Sequence, residues 1–118
     1  MQCKQTLRAA YNYAFNLLDL QRFGEARSLL LKTMPVARRV LGESNDTTLG
    51  MRCCYAEALY KADGATLDDL REAVTTLEDA GRIARRVFGG AYPITVGIEE
   101  SLRDARAASS ARETPSDS

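Results

Sequence analysis

The stretch ARRVLGESNDTTLG, residues 37–50, returns as ARRVFGGAYPITVG at residues 84–97, an offset of 47 positions. Ala37/Ala84, Arg38/Arg85, Arg39/Arg86, Val40/Val87, Gly42/Gly89, Thr48/Thr95 and Gly50/Gly97 are identical pairs. Leu41/Phe88, Leu49/Val96 and Met51/Ile98 are conservative ones. Self-similarity at a few tens of residues is the mark of repeated supersecondary units, each needing the same packing at its seam. A second series agrees with it. At an offset of 42, Thr6/Thr48, Leu7/Leu49, Tyr13/Tyr55, Ala14/Ala56 and Leu17/Leu59 coincide, and at 47 so do Glu25/Glu72, Ala26/Ala73 and Leu30/Leu77. The five extra residues fall near DGATLDD, residues 63–69, where a loop absorbs them with least disturbance.

Apolar spacing predicts helices throughout. The first covers about 4–20, with Leu7, Ala10, Ala14, Leu17 and Leu18 at three-and-four intervals. The second covers about 24–41; Pro35 inside it removes one backbone bond and predicts a kink or a fresh start. Gly42 ends it, and ESND at 43–46 supplies turn and cap for a third helix over about 46–62. TLDD at 66–69 resembles a capping box opening a fourth helix over about 67–88, and Pro93 suits the first position of a fifth, about 93–108. The paired acids at 68–69 and 99–100 read as charges placed at helix starts. The ending SSARETPSDS is small and polar, and predicts a disordered tail over 109–118 in which TPS at 114–116 offers a proline-directed phosphorylation target.

Composition narrows the function classes. The 118 residues carry 16 basic and 16 acidic side chains, so no global field gathers nucleic acid or an anionic membrane. No apolar run approaches the ~20 residues that span a bilayer, and MQCKQTLRAAYN lacks the blocks of a secretory signal; a cytoplasmic location is expected. With no histidine, no phosphate-cradling glycine loop and no nucleophile motif, the chain reads as a non-enzyme without a cofactor. Cys3, Cys53 and Cys54 have no metal-ligand spacing and read as reduced apolar fillers, so no metal site is assigned. Cys53 and Cys54 point about 100° apart on a helix, so only one of them is expected to face a core fully.

NYAFNLLDLQRFGEARSLL at 12–30, ARRVLGESNDTTL at 37–49 and RRVFGGAYPITV at 85–96 resemble the tetratricopeptide repeat superfamily, in its longer, kinesin-light-chain-like form. The resemblance covers about residues 5–106. Gln21 stands where that family has a turn glycine, and SN at 44–45 and YP at 92–93 stand in place of its histidine-proline pair. The family's fold implies an all-α, right-handed superhelix of antiparallel helix pairs. Here that means about two units plus a helix: unit 1 over 1–44, unit 2 with the insertion over 45–91, and a C-terminal capping helix over 92–108.

The resemblance also implies a function. The first helix of every pair lines a concave wall on which a peptide or partner helix lies. On the first helix Arg8, Tyr11, Asn12 and Phe15 fall on that wall, and on the third helix Cys53, Cys54, Glu57, Tyr60 and Lys61 do. Asn12 matches the family asparagine that grips a peptide backbone, with donor and acceptor on one amide. Tyr11 and Phe15 can equally serve packing against a neighbouring repeat, whereas Tyr13 and Tyr55 occupy a matching core position and Phe23 fills the core place of the turn aromatic. The expected role is a protein–protein interaction module. The alternative is a structural unit that oligomerises through its uncapped N-terminal end.

Overall fold

Gly42 and Gly89, partners in the repeated seam, both leave their helices with positive φ, +93° and +91°. The seam is thus built twice with the same backbone turn, of a kind that disfavours a side chain. The computed structural model describes residues 4–113, and among them it holds five α-helices and no strand. They are α1 Lys4–Asp19, α2 Phe23–Val40, α3 Asp46–Tyr60, α4 Leu67–Phe88 and α5 Pro93–Glu113. No helix among the described residues is long and apolar enough to cross a membrane.

Local chemistry sets the boundaries. Asn45 caps α3 by accepting from the Thr47 N–H at 2.8 Å. Thr66 and Asp69 form the reciprocal box at the start of α4, with bonds of 3.0 and 3.1 Å. Gln21 adopts φ +59°, so the turn takes the left-handed conformation its missing glycine would have supplied. α2 runs as one helix through Pro35, so of the two outcomes expected there, a kink or a fresh start, the fresh start does not occur. Phe23 opens that helix half-buried at the surface and does not join the core.

α3 lies at the centre and touches every other helix; α2 bridges α1 and α3, α4 bridges α3 and α5, and an ion pair of Arg27 with Asp69 at 3.7 Å links α2 to α4. The shape is elongated, 54 × 31 × 21 Å. Twelve of the fifteen α3 residues are buried as a result. That explains why Cys53 and Cys54 are both buried, against the expectation that one would be: a helix packed against four others keeps only a narrow face toward solvent.

Equivalent positions keep equivalent surroundings where two neighbours exist. Ala37 and Ala84 are fully buried, as are Thr48 and Thr95, while Val40 and Val87 are both exposed. Thr48 donates to the Ala37 carbonyl at 3.4 Å, tying α3 back to the seam. The likeness stops at the two tyrosines. Tyr55 is 6% exposed and donates to Glu72 at 2.6 Å, but Tyr13 is 56% exposed, with no covering partner on that side of α1 among the described residues. The core role read for both tyrosines is thus correct only for Tyr55.

α4 and α5 are antiparallel and laced by ion pairs that recur every seven residues on each helix. Arg85 meets Glu99 at 2.9 Å, Glu78 meets Arg106 at 3.0 Å, and Arg71 meets Glu113 at 3.7 Å. The pairing corrects two readings. Glu99 is a partner for Arg85 and not a helix-start charge, since the first turn of α5 carries no acid. The fifth helix also extends past 108 to Glu113, because Arg112 donates to the Ala65 carbonyl at 2.7 Å and Ser109 to Glu113 at 2.9 Å. Of the tail assigned to 109–118, residues 114–118, with the TPS target, lie outside the described residues, as does Cys3.

Candidate functional site

α1, α3 and α5 stand side by side, and their exposed flank encloses a hollow of about 670 Å³. Arg8, Tyr11 and Phe15 reach it from α1, because they recur three and four residues apart and so share one helical stripe. Cys53, Glu57, Tyr60 and Lys61 reach it from α3 by the same spacing, with Cys54 beside them. Eight of the nine residues singled out in the sequence are therefore brought together. Asn12 is the exception: it is exposed and outside the hollow, about 100° around α1 from Tyr11.

Other lining groups were missed. Asp46 and Tyr92 come from the ends of the seams, and Glu100 and Asp104 from α5. The signal for the last two was the offset of 47 itself, which carries Cys53 to Glu100 and Glu57 to Asp104. Reading the fifth helix only as a cap hid them. Tyr92 is fixed by stacking on Phe88, with ring centroids 4.7 Å apart and planes 16° from parallel.

The hollow is aromatic and acidic. Tyr11, Phe15, Tyr60 and Tyr92 supply rings, and four carboxylates, Asp46, Glu57, Glu100 and Asp104, face two cations, Arg8 and Lys61. Glu57 accepts from Lys61 at 2.8 Å. Burial draws the Lys61 ammonium down, but the Glu57 carboxylate outweighs it and leaves the group above its usual value. Cys53 lies 3.6 Å from the Ser101 hydroxyl and 3.8 Å from a Glu57 oxygen. Burial first, and the Glu57 charge second, push its thiol up to about 12, and burial pushes Cys54 up as well. Burial likewise raises Tyr11 and Tyr60 to about 12. The thiols, phenols and the Lys61 ammonium stay protonated at neutral pH, so the hollow presents rings and carboxylates over two buried thiols and no activated nucleophile. Among the described residues no cluster of cysteine and carboxylate side chains is arranged to hold a metal ion.

Comparison with protein-family models, with curated proteins and with solved structures gives no match.

Proposed function

We propose that the chain is a protein–protein interaction module of tetratricopeptide-like construction, taking an extended peptide or a partner helix in the hollow between α1, α3 and α5. The observation that carries this reading is the convergence of eight side chains from two helices on one open concavity. The layering supports it too: the first-of-pair helices adjoin one another, α3 packing against both α1 and α5, as stacked helix pairs require. Equal numbers of acidic and basic residues favour a polypeptide over nucleic acid or an anionic membrane. Protonated thiols and the lack of histidine favour binding over catalysis.

The test is selection of random peptides against the intact chain, followed by NMR mapping with labelled protein. Selected peptides should shift resonances of α1, α3 and α5, and should lose binding to a Tyr11→Ala/Phe15→Ala variant shown by circular dichroism to be folded. Peptides that map elsewhere, or bind that variant unchanged, reject the site.

A second reading has its own observation. Tyr13, Leu20 and Leu31 are exposed at the α1–α2 end, where Tyr55, the repeat equivalent of Tyr13, is covered. This reading has two copies joining through that end. Sedimentation of the wild type against Tyr13→Glu decides it: a monomer at every concentration removes self-assembly.

A further inference from the structure

The two seams between first-of-pair helices are not filled alike. Between α1 and α3 the ring of Tyr11 lies on Gly50, so close that a Cβ built there would be 2.6 Å from the ring. At the matching station between α3 and α5, Cys53 replaces Tyr11 and Gly97 replaces Gly50. Cys53 is too short to cover the glycine, and a Cβ on Gly97 would meet nothing within 4 Å. The station filled by an aromatic ring in the first seam is open in the second.

Charge says what fits it. Glu100 and Asp104 follow Gly97 at three- and four-residue steps, on the same stripe of α5, and both line the hollow. Neither forms an ion pair among the described residues, although Glu99, beside them in sequence, is engaged by Arg85. Of the cations in the hollow, Lys61 is already paired with Glu57 and Arg8 stands across on α1. Tyr60 and Tyr92 line the same hollow.

We propose that this half of the hollow seats an arginine side chain of the partner polypeptide, its plane over Gly97 and its N–H groups donating to Glu100 and Asp104. A guanidinium is planar like the ring that fills the first seam; it bonds carboxylates through a fork of donors and stacks flat on aromatic faces, whereas an ammonium acts as a point charge without that fork. The inference rests on the peptide-binding reading above.

The experiment measures fluorescence anisotropy of labelled nonapeptide pools, randomised except for a central arginine, lysine, citrulline or glutamate. They are titrated onto the 118-residue chain and onto the Glu100→Gln/Asp104→Asn variant. Both substitutions lie on the exposed surface of α5. The arginine pool should bind about tenfold tighter than the citrulline pool, which has the same shape without the charge. The double variant should erase that difference while still binding the neutral pool. Equal binding of arginine and citrulline pools, a preference for glutamate, or a preference that survives the double variant overturns the arginine site and leaves peptide binding standing. No pool binding at all overturns both. Gly97→Leu, which projects into open space, should block every pool while the helical circular dichroism is unchanged; full arginine-pool binding by that variant also overturns the site.

Discussion

Tyr11 lies over Gly50 on the neighbouring helix, leaving no room there for even a methyl group. Gly97, the same repeat position one unit on, has open space above it. Two glycines that the sequence pairs therefore answer substitution with opposite signs. Gly50→Ala must displace the Tyr11 ring, and the strain outweighs the helix propensity gained, for a net loss of about 1 kcal/mol. Gly97→Ala gains propensity without a clash and should stabilise by up to about 1 kcal/mol. Urea midpoints of the two variants check both signs.

Gln21 holds φ at +59°, where a Cβ is strained. Gln21→Gly should raise stability by about 0.5–1 kcal/mol, the strain relieved exceeding the added freedom of the unfolded chain. Thermal unfolding measures it; a lowered midpoint would show that the side chain anchors the turn.

Arg52 is buried on α3 and reaches Asp79 at 2.8 Å, while its Nε and Nη1 find no partner. Its hydrogen bond to Asp79 holds that carboxyl below the usual aspartate value of 3.8. A depressed carboxyl stabilises the fold above the unfolded value and loses that contribution as pH falls through the folded one. Asp79→Ala strands the guanidinium and should lose about 3 kcal/mol at pH 7. Its stability should also fall less than that of the wild type between pH 5 and pH 2. Denaturant titrations at a series of pH values would show both effects.

Cys53 is raised from 9.0 to about 12. The raised thiol stabilises fully below the unfolded value, and the contribution is lost as pH climbs from about 9 through 12. Over that window the slope per buried thiol is about 1.4 kcal/mol for each pH unit. In a Cys3→Ser background, Cys53 and Cys54 should resist a disulfide reagent at pH 8 until urea unfolds the chain. Labelling of the native protein within minutes would contradict their burial.

Arg112 joins the end of α5 to the loop before α4 by its bond to the Ala65 carbonyl. Arg112→Ala should lose about 1 kcal/mol, and ending the chain after residue 108 should lose more, with Arg71 deprived of Glu113 too. Adding salt should leave most of the Arg112 effect in place, because a bond to a carbonyl is less screened than the exposed pairs of the α4–α5 ladder.

The helices were legible because apolar spacing, glycine stops and the Thr66 box act locally and agree with one another. The α1 and α3 walls were legible for the same reason, since helical periodicity fixes which side chains share a stripe. What escaped depended on neighbours. Tyr13 and Tyr55 are identical in sequence, and only the presence of a covering unit separates them. The length of α5 was set by Arg112 reaching a carbonyl 47 positions away, which no local pattern encodes. The part played by Glu100 and Asp104 depended on α5 standing beside α3, a matter of tertiary placement.

α3 is the shared neighbour of all the other helices, so its loss removes the packing that joins the α1–α2 pair to the α4–α5 pair. Arrays of repeats often melt piecemeal from their ends; here the middle element is expected to open last. Its amides should be the last to exchange with deuterated solvent, at a rate that reports the stability of the entire chain.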